Sequence, residues 1–200
     1  FQKNVFQNNS DYKLILASRN IDKVKNLVYS KFIDKKIFLE NLDVTKCTYL
    51  PEVDLIIHAA NSTSEKDYIN NIENEKQNII NGTENILNKI KKNTNFIYIS
   101  SGAVYGRQEN ISKGFSEDES MVSSLEGSKF HYAAAKAEAE SIVIKYSKNN
   151  SINSVIARCF AFVGKHLPLD SHFYIGNMIK SILNKEDHEI KSPNKVFRSY

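Results

Sequence analysis

Short apolar runs alternate with helical stretches along the chain, and this alternation restricts the fold more than any other feature of the sequence. The run DLIIHAA at 54–60 is continuously apolar, as expected for a parallel strand that is buried on both faces. The stretch after it, 64–92, carries a helical stripe of Ile and Leu with a break near Asn70 and Asn71. Further strand candidates lie at 13–17, 36–44, 95–100 and 151–160, and further helix candidates at 21–32, 128–147 and 172–184.

Repetition of strand and helix in this order predicts an α/β fold, a Rossmann-like doubly wound parallel sheet with helices on both faces. Sheets of this kind bind ligands at the carboxyl ends of their strands. The residues that directly follow each strand are therefore the candidates for chemistry.

Composition narrows the possible partners. There is no run of roughly 18 apolar residues and no recognisable signal peptide, so we expect no membrane partner and a cytoplasmic location. Cys47 and Cys159 are too few for a disulfide scaffold or a metal cluster, so we expect no metal. The net charge of +4 comes from scattered lysines without a basic stripe interleaved with aromatic residues, which argues against a nucleic-acid partner.

Two features follow the strand at 95–100. Ser101 lies at its end, within SSGAVYG, and the next helix contains HYAAAKAEAE. Tyr132 and Lys136 in that helix are four residues apart, so they project from the same face. A lone Tyr-x-x-x-Lys is common by chance, whereas its combination with a strand-end hydroxyl is much more specific.

With these residues the chain resembles the short-chain dehydrogenase/reductase superfamily, in its extended branch of nucleotide-sugar epimerases and dehydratases. The resemblance covers nearly the whole chain. It includes DLIIHAAN at the family's fourth strand, QNIINGTENIL at its Asn-x-x-Gly-Thr helix, IARCFAFVG at its sixth strand and FRSY on its substrate side.

The resemblance implies a catalytic set of Ser101, Tyr132 and Lys136. A tyrosine with a pKa of about 10 is a poor base at neutral pH, and a nearby ammonium favours the phenolate, so we expect Lys136 to lower the pKa of Tyr132. Tyr132 is then the general acid/base. Lys136 would also bind the nicotinamide ribose, and Ser101 would hold the reacting substrate oxygen.

The resemblance also places a dinucleotide cofactor across the strand ends. The residues implied are Ser18, Arg19, Asp43, Val44, Ala59, Ala60, Asn78, Tyr132, Lys136 and Phe160. Asp43 would contact adenine, or it is simply a turn or cap residue. Asn78 would lie near the nicotinamide, or it is a helix-surface residue. The two alanines and the phenylalanine are equally suited to the core.

Ser18 and Arg19 stand where NAD-dependent folds of this type place a carboxylate for the ribose 2′-hydroxyl. Without a carboxylate nothing repels a 2′-phosphate, and Arg19 could pair with one. The cofactor is therefore NAD or NADP, with NADP favoured. Alternatively Arg19 is a surface residue at the start of a helix and Asp22 supplies the missing acid.

Two departures from the family pattern concern the ends of the chain. The first strand and the Gly-x-x-Gly-x-x-Gly loop that cradles pyrophosphate are absent. We therefore expect an internal piece of a longer enzyme that binds cofactor weakly or not at all as it stands. Its domains would be 1–160, an incomplete dinucleotide-binding domain, and 161–200, the start of a substrate-binding region.

Another departure concerns the reaction. Dehydratases of this family carry Asp-Glu after the catalytic hydroxyl and decarboxylases carry a Glu, whereas this chain has Gly102 and Ala103. This favours hydride transfer at the sugar C4 carbon, by a 4-epimerase or a 4-keto-sugar reductase, over the alternatives of dehydration or decarboxylation. Ala161 stands where galactose-type 4-epimerases often have Asn.

The substrate implied is a nucleotide-diphospho sugar. Asn177 and Arg198 match positions that hold the diphosphate, and an Arg fork suits phosphate; otherwise they are an N-cap-like Asn and a surface Arg. Helices 64–92 and 128–147 correspond to those that form a four-helix bundle in the family, so a homodimer is expected. The competing functions are a non-catalytic dinucleotide-binding sensor and, more weakly, an RNA-binding protein.

Overall fold

The computed structural model describes residues 12–26, 33, 35–61, 70–107, 114–120, 122–164, 167, 169 and 174–188. These contain the strands β1 (Leu14–Ser18), β2 (Ile37–Asn41), β3 (Leu55–His58), β4 (Asn95–Ser101) and β5 (Ser154–Cys159). The helices are α1 (Ile21–Lys25), α2 (Ile72–Leu87), α3 (Gly127–Asn150) and α4 (Tyr174–Asn184). Short 3₁₀ helices span Gly102–Tyr105 and Val122–Ser124.

All strand pairs in the described residues are parallel. β1 pairs with β2, and β3, β4 and β5 form a three-stranded sheet with β4 in the centre. In a parallel sheet the carboxyl ends of neighbouring strands meet at the same edge. Ser101 at the end of β4 therefore lies beside Cys159 at the end of β5.

The core lies between the three-stranded sheet and the helices α2 and α3. Phe96 and Tyr98 of β4 project into it together with Leu87 of α2 and Val143 of α3, and all four are at most 1% exposed. Burying side chains of this size contributes about 1.5–3 kcal/mol each. The alanines of α3 that face this core, Ala133, Ala135 and Ala139, are fully buried. Their small size lets the helix lie close to the sheet, which brings its polar residues to the strand ends.

The expectation that 54–60 is buried on both faces is wrong. Leu55 and Ile57 of β3 are 45% and 56% exposed, and Val155 of β5, which is level with Ile57 across β4, is 59% exposed. Successive side chains of a strand point to opposite faces. His58 points to the core side, where α2 and α3 cover the sheet, and is buried.

The element boundaries follow the sequence pattern with local differences. α2 begins after Asn71, its N-cap, which agrees with the expected break, while 62–69 lie outside the described residues. α1 ends at Lys25, and most of the remainder of its expected range also lies outside them. α3 extends past the expected end at Ser147 to Asn150, where Ser151 takes a left-handed conformation with a φ of 53°. The division into 1–160 and 161–200 stays a prediction.

Candidate active site

Ser101, Tyr132 and Lys136 converge at the carboxyl end of β4. The Ser101 hydroxyl accepts a hydrogen bond of 3.2 Å from the Ala103 backbone nitrogen, so it caps the 3₁₀ helix that follows the strand. The side chain of Tyr132, from α3, is hydrogen-bonded to Ser101 and to Asn61. Sequence reasoning did not single out Asn61, although it directly follows the apolar run of β3 and so lies at the same sheet edge.

The pKa of Tyr132 is shifted opposite to the expected direction. Burial raises the pKa of its hydroxyl above the ordinary value, and the hydrogen bonds from Ser101 and Asn61 only partly offset this rise. The charge of Lys136 is not among the causes of this pKa shift. In the form described, Tyr132 is a protonated phenol that is suited to donating a proton.

Lys136 is held by the backbone of β4. Its side chain is buried, and its Nζ donates a hydrogen bond of 2.9 Å to the Ile99 carbonyl and lies 4.9 Å from the centroid of the Tyr98 ring. Burial lowers the pKa of the ammonium to about 8, against the opposing influence of Cys159 and Glu140. Lys136 is therefore a cation near neutral pH with a fixed direction, one helical turn from Tyr132.

His58 is a buried, neutral neighbour of this site that sequence reasoning also missed. Its Nε2 lies 3.2 Å from the Thr83 hydroxyl, which itself donates a 2.7 Å hydrogen bond to the Ile79 carbonyl. Because that proton is already used, Nε2 must be the donor to Thr83, which assigns the tautomer. Burial and the charge of Lys136 lower the pKa of His58 to about 4. The only sequence signal was a single polar residue within an apolar strand.

Gly102 is packed directly against an aromatic ring. A Cβ built on Gly102 would lie 2.5 Å from Cε1 of Phe160, a separation that real side chains do not show. Phe160 follows β5 and is 51% exposed, and its ring stacks on Tyr105 at a centroid distance of 6.1 Å. The space beside Ser101 that a side chain at position 102 would need is therefore filled by Phe160.

The ends of β1 and β2 form a second group of predicted site residues. One carboxylate oxygen of Asp43 accepts hydrogen bonds from the Thr45 nitrogen at 2.9 Å and the Thr45 hydroxyl at 2.8 Å. These bonds, and more weakly the charges of Arg19 and Lys46, lower the pKa of Asp43 below its ordinary value. The Ser18 hydroxyl accepts from the Asn20 nitrogen at 3.1 Å. Asp43 is therefore a turn residue, which was the alternative interpretation of its place in the sequence. The positive charges of Arg19 and Lys46 act on its carboxylate.

This turn is docked onto α2. The side-chain amide of Asn85 donates to the carbonyls of Val44 and Cys47 at 2.8 and 3.1 Å. A Cβ on Gly82 would lie 2.8 Å from Cγ2 of Val44, so the absence of a side chain there allows the close approach. Sequence reasoning also did not single out Asn85, although it lies within the Gly-Thr-Glu-Asn stretch that carried the family resemblance.

The remaining predicted residues lie at three other places. Ala59 and Ala60 are exposed at the end of β3 next to Asn61. The Asn78 amide donates to Glu75 of its own helix at 3.4 Å. Asn177 is half-buried on α4, and Arg198 lies outside the described residues.

The described residues contain neither a membrane-spanning helix nor a cluster of metal-ligating side chains. None of the helices there combines the length and apolar character needed to cross a bilayer. No group of three or more His, Cys, Asp or Glu side chains in the same part of the chain could hold a metal ion.

Comparison with known proteins adds a family and a fold. The model of the NAD-dependent epimerase/dehydratase family matches residues 6–199. A search of curated protein sequences finds no match. Among solved structures, UDP-glucuronic acid 4-epimerase from Bacillus cereus, in complex with UDP-glucuronic acid and NAD, is 21% identical with a TM-score of 0.70. That alignment covers 92% of this chain and 59% of the other.

Two further structures have the same fold. The dTDP-glucose 4,6-dehydratase from Bacillus anthracis, in complex with NAD, is 17% identical with a TM-score of 0.67, covering 92% of this chain and 56% of that one. RMD from Pseudomonas aeruginosa, complexed with NADPH, is 21% identical with a TM-score of 0.60, covering 86% and 62%. The Rossmann-like α/β prediction is confirmed, and this chain spans about three fifths of the length of these structures.

Proposed function

The chain belongs to the NAD-dependent epimerase/dehydratase family, and from this premise we propose that it acts on a nucleotide-diphospho sugar as an NAD(P)-dependent epimerase or ketoreductase. The proposed reaction is hydride transfer at the sugar C4 carbon with Tyr132 as general acid/base. The observation that carries the proposal is the hydrogen bond between Ser101 and Tyr132, with the buried ammonium of Lys136 one helical turn away.

The three side chains have separate roles. Ser101, oriented by the Ala103 nitrogen, binds the C4 oxygen of the sugar together with Tyr132. Tyr132 gives a proton to that oxygen when a keto sugar is reduced, and takes it back when an alcohol is oxidised. Because burial raises its pKa, the second direction needs added positive charge nearby. A bound oxidised nicotinamide would accept the hydride and supply that charge.

The described residues fit such a cofactor. The ends of β1 and β2 in one parallel sheet present Arg19 and Asp43, and the ends of β3 and β4 in the other present the exposed Ala59 and Ala60 and Ser101. Dinucleotides bind at the carboxyl ends of parallel strands. We favour NADP because Arg19 offers a guanidinium for a 2′-phosphate. The charge of Arg19 also helps to lower the pKa of Asp43, so this cation is close to the turn that we assign to the adenosine end.

Gly102 and Phe160 favour hydride transfer over elimination. Dehydration and decarboxylation would need a carboxylate beside Ser101, and the Phe160 ring occupies the space for one at position 102. Dehydratase or decarboxylase activity is thus the less favoured enzymatic alternative. A non-catalytic dinucleotide sensor is the alternative from another class, and it would need no proton donor buried against Ser101.

A panel of nucleotide-diphospho sugars and 4-keto sugars, offered with oxidised or reduced NAD or NADP to the complete enzyme, tests the proposal. Product identity and absorbance at 340 nm are followed together. Epimerised sugar without net absorbance change indicates a 4-epimerase, and stoichiometric loss of NADPH with a 4-keto sugar indicates a reductase. Cofactor binding without turnover of any sugar would favour the sensor.

Further proposals concern the whole protein. We place the enzyme in the cytoplasm and in surface-polysaccharide synthesis, assign 1–160 to cofactor and 161–200 to substrate, and assign Asn177 and Arg198 to the diphosphate. The outer faces of α2 and α3 would form the homodimer, which sedimentation measurements would test.

A further inference from the structure

Arg158 and Glu140 form a nearly buried ion pair beside the candidate active site. Arg158 lies on β5, level with Ser100 of β4, and Glu140 reaches it from α3, one turn beyond Lys136. The side chains are 17% and 5% exposed. Nη2 of Arg158 donates to Oε2 of Glu140 at 2.8 Å, and Nε donates to Oε1 and Oε2 at 3.1 and 3.2 Å. This fork geometry fixes the guanidinium in one orientation.

Glu140 also connects this pair to the strand that carries Ser101. The Ser100 hydroxyl donates to Oε1 of Glu140, so the carboxylate is satisfied by two elements of the sheet. A buried ion pair contributes little net stability compared with apolar residues of equal size, whereas its geometry can specify one arrangement of the chain. The arrangement specified here joins α3, β4 and β5 at the strand ends.

The remaining nitrogen of Arg158 holds the segment 114–120. Nη1 donates to the backbone carbonyls of Glu117 at 2.8 Å and Glu119 at 3.2 Å. The guanidinium thus binds the path of the backbone rather than the acidic side chains. The Ser120 hydroxyl adds a 3.2 Å bond to the Val104 carbonyl, which ties the same segment to the 3₁₀ helix after β4.

An aromatic stack links this segment to the site. The guanidinium carbon of Arg158 lies 4.6 Å from the centroid of the Tyr105 ring. Tyr105 stacks on Phe115 of the segment at 5.0 Å and on Phe160 at 6.1 Å. Phe160 in turn covers Gly102, next to Ser101. A displacement of 114–120 would therefore be transmitted to the wall beside the catalytic hydroxyl.

We propose that Arg158 and Glu140 are positioning residues, which hold segment 114–120 so that the stack Phe115–Tyr105–Phe160 forms a fixed wall beside Ser101. The wall aligns the nicotinamide and the sugar ring, and in this respect the proposal rests on the proposed function. Neither residue touches the reacting atoms, so the pair acts through Phe160 and Ser101.

Arg158→Lys is the sharpest variant because it keeps the positive charge but lacks the fork and the second donor group. Glu140→Gln is less clean, since Glu140 also influences the charge of Lys136. The matched control is Lys145→Met, which removes an exposed cation from α3, the helix that carries Glu140. Amide hydrogen exchange of peptides that cover 114–120 and steady-state kinetics of the complete enzyme are measured for the wild type, Arg158→Lys and Lys145→Met.

We expect Arg158→Lys to exchange about tenfold faster at 114–120 because local opening costs less. We expect kcat to fall by about 10–100-fold through misalignment, with KM changed less than about threefold. Lys145→Met should match the wild type in both measurements. Unchanged exchange at 114–120, or a kcat that falls only in proportion to the loss of folded protein, would overturn the proposal.

Phe115→Leu provides a second test that leaves the ion pair intact, which matters if Arg158→Lys does not fold. The stack loses one ring, so kcat should fall as it does in Arg158→Lys, while hydrogen exchange elsewhere in α3 and β5 is unchanged. An unaltered kcat contradicts the proposal.

If the wild type turns over no nucleotide sugar, the proposed function fails. The exchange measurement, with NADH or NADPH binding followed by nucleotide fluorescence, then still decides whether the pair fixes the wall.

Discussion

The ends of β1 and β2 and the end of β4 are built in different ways. At the ends of β1 and β2 the hydrogen bonds are local: Thr45 donates to Asp43, and the Asn20 nitrogen donates to Ser18, two residues away in each case. Arg19 is exposed there. At the end of β4, the hydrogen bonds join distant parts of the chain, such as Lys136 with the Ile99 carbonyl.

The difference matches the two tasks that we propose for these regions, proton transfer at β4 and binding of the adenosine end at β1 and β2. The groups that we propose to transfer the proton are held by tertiary packing, and catalysis of this kind depends on a fixed geometry. The residues expected at the adenosine end are held mainly within their own turns, and the Asp43 turn is also docked onto α2 through Asn85. We therefore expect substitutions at β4 and α3 to affect rate and folding, and those at β1 and β2 to affect cofactor choice.

The largest effect is expected for Tyr132→Phe, which removes the proposed proton donor but keeps the ring. Turnover should fall by about 10²–10⁴-fold, with the affinity for NADPH unchanged. The control is Tyr146→Phe, a partly buried tyrosine on the same helix. Equal turnover in Tyr132→Phe and wild type would remove the basis for the catalytic assignment.

The buried His58 should make the β4 region sensitive to acid. Its pKa is about 4 in the folded chain and 6.5 in the unfolded one, so between these values only the unfolded state binds the proton. The free energy of unfolding should therefore decrease as pH falls from 6.5 to 4, by about 3 kcal/mol in all. Lys136 is the charged group that acts on His58, and its charge does not change over this range.

Chemical denaturation at several pH values, with His58→Asn as reference, measures this decrease. The Asp43→Asn variant provides the comparison with the other region. The pKa of Asp43 is below its ordinary value of 3.8, so its stabilising contribution is complete above that value and lost as pH falls further. A wild-type slope between pH 6.5 and 4 that His58→Asn retains would show that another group titrates there.

Arg19→Ala should change cofactor choice. Loss of a charge-assisted hydrogen bond to a 2′-phosphate corresponds to about 1.5–3 kcal/mol, so NADPH affinity should fall by about 10–100-fold relative to NADH. Calorimetric titration of both cofactors measures this, with Lys23→Ala as the exposed-cation control on α1. An equal loss for NADH and NADPH would mean that Arg19 does not read the phosphate.

The smallest effect is expected for Gly82→Ala. The new methyl would lie 2.8 Å from Val44 and displace the Asp43 turn, while alanine favours the helix by about 0.5–1 kcal/mol. Since overpacking costs about 1–3 kcal/mol, the net loss should be about 1 kcal/mol. Gly114→Ala, with nothing within 4 Å of the added carbon, should leave stability unchanged. Equal denaturation midpoints for the two variants would contradict the close packing at Val44.

The sequence was informative where a pattern is local. The apolar runs located all five described strands, and the family resemblance paired Ser101 at the end of β4 with Tyr132, which are hydrogen-bonded in the structure. The alternation of β3 was misread, because a continuously apolar run does not reveal whether both faces are covered.

Long-range pairing was not predictable in the same way. The expected lowering of the Tyr132 pKa by Lys136 was wrong because burial of the hydroxyl raises that pKa, and helical spacing does not reveal how deeply a side chain will be buried. Asn61 and the Arg158–Glu140 pair were missed because their partners lie on other elements. Each is an ordinary polar residue in its local sequence, and only the packing of α3 on the sheet makes it part of the site.

The contact of Phe160 with Gly102 has a consequence for how such a site could diversify. A carboxylate introduced at position 102 alone meets the ring, and a smaller residue at 160 alone opens a gap without adding a proton-transfer group. A proton-transfer group at position 102 therefore depends on the residue at 160: the half-exposed Phe160 ring must turn aside or be replaced by a smaller side chain.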